Sequence, residues 1–415
     1  MSRVVMAGLI MEFSKATNMN KYTFHLLGLA HLPTSEEYQS CAFTQKNIKL
    51  ARMLSALGHT VYVYGAGNLS GDFEFVQTHT VEDIARDYGD GDNRFEIGYD
   101  WTSQDFRHDL NSERKTSTLK FYAKAVEEIN KRKKPDHFVL ATQGQYHKPI
   151  TDAVGLYLTC ESGIGYRGSV AGMFRSFESP YIQNFTYGSE QPFASLNGSY
   201  YDRVIPNYFD SKDFQYKKKK KDYYLFIGRL IKRKGIMTAY LATKAIGAKL
   251  IIAGQGGYVD HRGYLVDNHP KEFEIPNDSD WEYVGYVEKE KRKELMSNAI
   301  ATFTPTEYLE CFAGTHVESM LSGTPPITTD FGVFPYTIPD YLDGQVGYRC
   351  NTLQDFVDAT QKAKQVDHAF VREYAERFLM ENVALDFQKW FDDLYRVYLS
   401  TDGKAKGWSF VKMNI

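Results

Sequence analysis

The chain has 415 residues, 43% apolar and 24% charged, the make-up of a globular protein with room for two ordinary cores. A formal net charge of −3 removes any global pull toward nucleic acid or an anionic membrane, and no run of about 18 apolar residues predicts a transmembrane helix. The four cysteines, Cys41, Cys160, Cys311 and Cys350, form no CxxC pair or zinc spacing and read as reduced thiols of a cytoplasmic protein.

Residues 1–20 hold one short apolar run, from Val4 to Met11, with no small-residue cleavage site after it, and read as an N-terminal extension rather than a signal peptide. Residues 21–29 (KYTFHLLGL) are a compact apolar run, as a strand buried in a parallel sheet requires. Ile48, Leu50, Ala51, Leu54 and Leu57 recur at helical spacing over residues 45–57, Gly58 ends that helix, and residues 60–64 (TVYVY) read as a second strand. A strand, helix and strand in this order predict a parallel pair. Residues 72–111 are polar and irregular. A helix is predicted over 117–131, ended by the basic stretch 131–134 and Pro135, with strands over 137–141, within 153–160 and over 202–205.

Five lysines at 217–221 mark a shift of composition, hence the expected domain boundary; such a charge run is ordinarily a solvated face. Alternation then restarts. Strands are predicted at 224–227, 249–253, 282–287, 299–304 and 326–329, and helices at 237–246, 291–297, 315–321, 353–364 and 384–399. The last helix carries Phe387, Trp390, Phe391, Leu394 and Tyr395 on one face. Two alternating halves predict an α/β protein with two doubly wound, Rossmann-like domains, and ligands beyond the carboxyl ends of the strands in the cleft between them. The expected division is an extension over 1–20, an N-terminal acceptor domain over 21–210, a C-terminal donor domain over 222–385, and a helix and tail over 386–415.

Two segments carry chemistry. In residues 224–235 (YLFIGRLIKRKG) a strand runs into Gly228, then Arg229, with Lys234 just before a helix. A glycine there lets backbone approach a ligand, and two cations beside a helix N-terminus suit a diphosphate. In residues 305–323 (PTEYLECFAGTHVESMLSG), Glu310 stands before a helix opened by Phe312, Ala313 and Gly314, and Glu318 stands about one turn inside it. Amides at such a helix start can donate to a sugar or phosphate, while carboxylates accept from hydroxyls.

Taken in order, the pieces LARMLSALGHTVYVYGAG (50–67), VIPNYFD (204–210), FIGRLIKRKG (226–235), IIAGQGG (251–257), YVGYV (283–287), the Glu310–Glu318 segment and SGTPPITTDFGVFPYTI (322–338) resemble the retaining, GT-B-fold nucleotide-sugar glycosyltransferases of family 4. The resemblance spans about residues 21–395 and is specific in the C-terminal half. It implies two Rossmann-like domains facing a central cleft, with the C-terminal helix crossing back to the N-domain. It assigns Arg229 and Lys234 to the donor diphosphate, Glu310 to the transferred sugar and Glu318 to the ribose. Phe312, Ala313 and Gly314 become backbone donors, Gly285 marks where the base docks, and Gly228 and Gly254 line the cleft. The implied activity is transfer of a hexosyl or pentosyl group from a UDP- or GDP-sugar to an acceptor hydroxyl with retained anomeric configuration, with no cofactor beyond the donor and no metal.

The sequence departs from the family in the first loop, SCAFTQ (40–45), which has no glycine where paired glycines often approach the donor phosphates. It also departs in TCESGIGYRG (159–168), which offers Glu161, Ser162 and Gly163 as acceptor- or sugar-side groups where a His often stands. His147 lies in another loop, and Asp90-Gly91-Asp92 looks like a metal-binding pair but sits in a polar loop. The acceptor stays open among saccharide, lipid, protein, small molecule and modified nucleic acid. The alternatives in function are a nucleotide-sugar-binding scaffold without turnover and a nucleotide-sugar epimerase.

Overall fold

The apolar run at 21–29 becomes β1 (Thr23–Leu27), with four of its five residues buried. Phe24 and Leu26 enter one core and Leu27 another, because alternate side chains leave a strand on opposite faces. A strand covered on both sides has no solvent face to serve, so its sequence stays apolar. In this computed structural model, residues 19–36, 38, 41–88, 115–170, 173–190, 200–268 and 272–401 are described. The extension up to residue 18, Ser40 and the Asp90–Asp92 pair lie outside the described residues.

β1 pairs in parallel with β2 (Thr60–Gly65), Phe24 opposite Val61 and Leu26 opposite Val63. With β3 (Glu74–Gln77), β4 (Phe138–Ala141), β5 (Thr159–Ile164), β6 (Phe174–Phe177) and β7 (Arg203–Val204) they make a seven-stranded sheet in the order β3-β2-β1-β4-β5-β6-β7. The second sheet has the order β13-β9-β8-β14-β15-β16, from β8 (Tyr224–Ile227), β9 (Leu250–Ala253), β13 (Trp281–Tyr283), β14 (Thr302–Thr304), β15 (Pro326–Thr329) and β16 (Tyr348–Cys350). Every pairing within these two sheets is parallel. Each reverses its strand order beside its first strand, at β1/β4 and at β8/β14. At such a switch the connecting loops part to opposite sides and leave a crevice. This is the α/β architecture of two doubly wound sheets that the alternation predicts.

The chain passes between the two halves twice, and the passages are hydrogen-bonded to each other. Phe209 N–H donates to the Phe378 carbonyl at 3.0 Å, and Met380 N–H to the Phe209 carbonyl at 2.9 Å. From there the helix Met380–Thr401 returns to the first sheet. Its Phe387, Trp390, Phe391 and Leu394 bury in the same core as Phe24 and Phe138. The Phe391 ring centre is 4.7 Å from that of Phe24, and the Trp390 indole donates to the Tyr201 carbonyl at 2.8 Å. Each such aromatic contributes about 1.5–3 kcal/mol of burial, so the C-terminal helix is as much part of the first domain as its own strands.

Several elements differ from the sequence reading. The first helix begins at Ala42, three residues before the predicted Gln45. Within the polar stretch after residue 72 lie β3 and the helix Val81–Tyr88. The stretch 153–160 divides: the helix Lys148–Val154 closes at Gly155, and β5 starts at Thr159. Residues 257–275 hold a small antiparallel sheet, β10 (Gly257–Val259), β11 (Leu265–Asp267) and β12 (Glu274–Ile275), which alternation did not reveal.

The lysine run is not uniformly solvated. Lys220 turns inward, and its Nζ donates to the Ser297 carbonyl (3.0 Å), the Ser322 carbonyl (3.3 Å) and Thr324 Oγ1 (2.9 Å). Those carbonyls sit at the C-terminal ends of the helices Lys289–Asn298 and Gly314–Leu321. One ammonium thereby satisfies two helix ends whose last carbonyls have no intrahelical partner and whose dipoles favour a cation. Replacing Lys220 by Met is expected to cost about 1.5–3 kcal/mol, the value of hydrogen bonds to a charged group, read as a lowered melting temperature. The exposed Lys218, replaced in the same way, is expected to leave melting unchanged; equal effects at both positions would contradict this role.

Candidate active site

β8 and β14 flank the switch point of the second sheet, and the two motif segments are the loops leaving their carboxyl ends. Gly235, at φ 75°, brings these loops into contact: a Cβ there would stand 1.9 Å from the Pro305 carbonyl oxygen, so only glycine fits. That contact sets Lys234 beside the second loop. Its Nζ lies 2.6 Å from both Tyr308 Oη and Glu310 Oε1, and the Tyr308 hydroxyl donates to Glu310 Oε1 at 2.6 Å. Glu310 is 8% exposed. Burial and the Glu310 carboxylate push the Tyr308 phenol well up, which keeps it a neutral donor. Arg229 is exposed at the end of β8, and its guanidinium has no ion-pair partner among the described residues.

Beyond Glu310 the chain turns through Phe312, buried at 2%, and Ala313 into the helix Gly314–Leu321. Ala313 (φ 56°, ψ 61°) is the one non-glycine residue at positive φ among the described residues. A left-handed alanine is strained, and such strain collects at functional turns. No side chain caps this helix, so its first N–H groups are presented to the crevice. His316 braces the turn: its Nδ1 bonds the Ala313 carbonyl and its Nε2 lies 2.7 Å from Thr337 Oγ1. Burial pulls its pKa down to about 4, so the ring is neutral and can donate at one nitrogen and accept at the other. Glu318 faces the same side from within the helix and is ion-paired with Arg292.

Gly228, Gly254 and Gly285 follow the adjacent strands β8, β9 and β13. A Cβ on Gly228 or Gly285 would meet nothing, so these backbones border open space. Gly254 serves packing instead: at φ 142° its Cβ would fall 1.8 Å from the Gly228 carbonyl, and its N–H is taken by the Gly285 carbonyl at 2.7 Å.

The first domain supplies the opposite wall. Ser179, after β6, donates its hydroxyl to the Cys311 carbonyl at 2.6 Å, a direct link to the residue after Glu310. Beside it Glu178 pairs with Lys46 at 2.8 Å, the two side chains 8% and 7% exposed. One turn further along the same helix, the Lys49 ammonium lies 5.3 Å over the Phe209 ring. Burial lowers the Lys49 pKa, and the Glu318 carboxylate opposes that shift. Glu161, expected on this side, turns into its own domain: it accepts from Tyr166 Oη at 2.6 Å and Val170 N–H at 2.7 Å, and burial raises its pKa to about 7. Ser162 is buried, and Gly163 gives its carbonyl to Lys46 at 2.5 Å. His147 is structural. It accepts from Thr142 N–H at 3.1 Å, lies 2.9 Å from the Gly28 carbonyl, and has its pKa lowered by burial to about 3.

The structure brings Lys234, Tyr308 and Glu310 into contact where the loops after β8 and β14 meet, with Arg229 at the start of the first loop and the Phe312–Gly314 turn and Glu318 following in the second, while Glu161 is hydrogen-bonded within its own domain. It adds Tyr308 and His316, both inside the motif segment, and Lys46 and Glu178, which no local motif announces. Among the described residues no group of three or more His, Cys, Asp or Glu could hold a metal. No helix among them is long and apolar enough to cross a membrane. The basic stretch 131–134 is largely matched within the fold, Lys131 by Glu128 and Arg132 by Glu74, each at 2.8 Å. A cavity of about 300 Å³ lies between the end of β7 and the returning helix, lined by Arg203, Arg377, Lys389 and Trp390 among others.

Residues 209–376 match the family model described as glycosyl transferases group 1. AviGT4, a glycosyltransferase involved in avilamycin A biosynthesis, shares the fold with a TM-score of 0.60 over 91% of this chain and 98% of its own, at 18% identity. Sucrose-phosphate synthase from Thermosynechococcus elongatus does so with a TM-score of 0.62 over 91% and 100%, at 15% identity. Anabaena HepE, solved in complex with UDP and glucose, gives 0.55 over 90% and 100%, at 11% identity. No curated protein matches the chain at the sequence level. The chain thus has the GT-B fold, and its residues 209–376 match the glycosyl transferases group 1 model, which together support a glycosyltransferase enzyme.

Proposed function

We propose that the protein moves a sugar from a UDP- or GDP-sugar to an acceptor hydroxyl with retention of anomeric configuration. The observation that carries this reading is the Lys234–Tyr308–Glu310 cluster, set at the β8/β14 switch beside a helix start without a side-chain cap and an Arg229 with no ion-pair partner among the described residues. Cations and backbone N–H groups converge where a diphosphate would lie, and carboxylates stand where sugar hydroxyls would need acceptors. HepE, solved with UDP-glucose, shares the fold, which is in keeping with a nucleotide-sugar donor here.

In this reading Arg229 and Lys234 stabilise the charge that builds on the departing diphosphate. Glu310, with Lys234 and Tyr308 fixing its first oxygen, orients the transferred sugar. Amides of Phe312, Ala313 and Gly314 donate to sugar or phosphate, Glu318 accepts from the ribose hydroxyls, and the base lies along Gly285 with Gly228 and Gly254 forming the floor. The bond from the anomeric carbon to the diphosphate oxygen breaks and a bond to the acceptor oxygen forms on the same face. The acceptor proton passes to the leaving phosphate oxygen. In this reading Glu310 serves as orienter rather than nucleophile, with Lys234 and Tyr308 holding its first oxygen in place. The chemistry asks for no metal, since two fixed cations and a helix start do the work of neutralising the leaving group.

The direct test is thermal melting against a panel of UDP-, GDP-, ADP- and TDP-sugars. A ligand that binds only the folded state at about a hundred times its Kd stabilises by about 2.7 kcal/mol, so the correct donor raises the melting temperature. Arg229→Ala is expected to abolish most of that shift, and Arg229→Ala or Lys234→Ala to slow turnover by roughly tenfold or more. Wild-type turnover in both variants would remove these roles. A panel in which nothing binds would favour a scaffold without turnover, and donor isomerisation without transfer would show an epimerase. Turnover is expected to continue in excess chelator; strict dependence on a divalent ion would contradict the metal-free reading.

A further inference from the structure

The Lys46–Glu178 pair is costly and has no evident structural purpose. Taking both ions out of water costs several kcal/mol apiece, and apolar residues of like volume often serve stability as well or better. The fold nevertheless builds a site around the pair. Lys46 projects from the helix Ala42–Ala56, with its backbone carbonyl accepting from Tyr208 Oη at 3.0 Å. Its ammonium donates to Glu178 Oε1 at 2.8 Å and to the Gly163 carbonyl at 2.5 Å. Glu178 stands directly after β6, at the carboxyl end of the sheet, and its Oε2 lies against bare backbone: a Cβ on Gly165 would come within 2.1 Å of it.

The pair also faces the right place. Ser179, the next residue, holds the Cys311 carbonyl at 2.6 Å, and Cys311 follows Glu310. Burial, and after it the carboxylates of Glu178 and Glu310, push the Cys311 thiol up to about 12. Around Glu178 the charged and titratable groups are Lys46, Cys311, Tyr166 and Tyr208.

We propose that Glu178 is the hydroxyl-binding carboxylate of the N-terminal wall, accepting from a hydroxyl of the transferred sugar or of the acceptor, and that Lys46 is its positioning residue. No bond forms at Glu178. This rests on the donor reading above, which places the sugar beside Glu310.

The test uses the full chain with UDP and UDP-glucose, and GDP and GDP-mannose, measuring direct binding and the rate of nucleotide-sugar hydrolysis by water. Glu178→Gln keeps shape and removes charge. Its affinity for the nucleoside diphosphate is expected to stay within about twofold of wild type, because Arg229 and Lys234 are untouched. If the bound hydroxyl belongs to the transferred sugar, nucleotide-sugar affinity falls by roughly tenfold or more, the loss of a charge-assisted hydrogen bond. If it belongs to the acceptor, both affinities hold and hydrolysis falls by a similar factor. Unchanged binding and unchanged hydrolysis overturn the proposal. A wild-type chain that binds no nucleoside diphosphate instead overturns the donor reading, and this proposal with it.

Two further variants separate function from folding. Lys46→Met removes the cation that holds Glu178 Oε1 and is expected to lower the same binding or hydrolysis that Glu178→Gln lowers, with nucleoside diphosphate affinity unchanged. The double variant Lys46→Met/Glu178→Met leaves no unpaired charge and is expected to melt no lower than wild type while losing the same binding or hydrolysis. Wild-type activity in that variant, or unchanged nucleotide-sugar binding and hydrolysis in Lys46→Met, would show the pair to be structural only.

Discussion

The contact between Lys234 and Glu310 ties together the two loops on which the site depends. Each side chain leaves the carboxyl end of a different strand, β8 or β14, and those strands are neighbours only because the sheet reverses its order between them. The ammonium needs the carboxylate close, the carboxylate needs the loop to curl back, and the loop can curl back only because Gly235 lets Pro305 approach. Tyr308 completes the arrangement as a neutral phenol between two charges. Two donors thereby fix one oxygen of Glu310. A carboxylate held this way can discriminate among hydroxyl geometries, because its own orientation is not free to adjust.

The second domain does not work alone. Its crevice is walled by the first domain, whose position is set by the paired crossings at Phe209 and Phe378–Met380 and by the aromatic seam of the returning helix. Phe209 joins these roles. It lies in the hydrogen-bonded crossing, its ring lies beneath the Lys49 ammonium, and the same ring would touch a Cβ placed on Gly314 at 3.6 Å. The hinge strand, the N-terminal helix and the start of the Gly314–Leu321 helix therefore meet at one ring.

Legibility followed locality. Arg229, Lys234, Glu310 and Glu318 stand in two short strand–loop–helix segments, where spacing marks them, and the structure brings Lys234 and Glu310 of these into contact. Tyr308 was readable in principle, two residues before Glu310 in the same loop. Lys46 and Glu178 were not, since 132 residues separate them and only the order β1-β4-β5-β6 brings their strand ends together. The glycine-rich run after Glu161 marks a carboxylate that lies inside β5 and finds Tyr166 and Val170 in its own domain, whereas Glu178 sits past the end of β6 with no motif around it. Lys220 was hidden for the opposite reason: a run of five like residues reads as one solvated face, and only the third dimension shows that one of them closes two helix ends. The small β10–β12 sheet has strands of two or three residues, too short for a period to show.

The turn at Ala313 shows how the site keeps its donors aimed. A left-handed alanine costs of order 1 kcal/mol or more, so the turn would relax unless its surroundings held it. They hold it from both sides. Phe312 is sunk into the core formed with Phe209 and Phe378, and His316 grips the Ala313 carbonyl from one helical turn onward. Grip from that ring depends on its staying neutral, with a proton on Nδ1 for the carbonyl and a lone pair on Nε2 for Thr337. Burial enforces that state by disfavouring the imidazolium. The strain is thus spread over hydrophobic burial and one neutral histidine, and the N–H groups that follow point into the crevice before any ligand arrives. Donors fixed in advance need not reorganise as charge develops on a leaving diphosphate, which is where such groups contribute most.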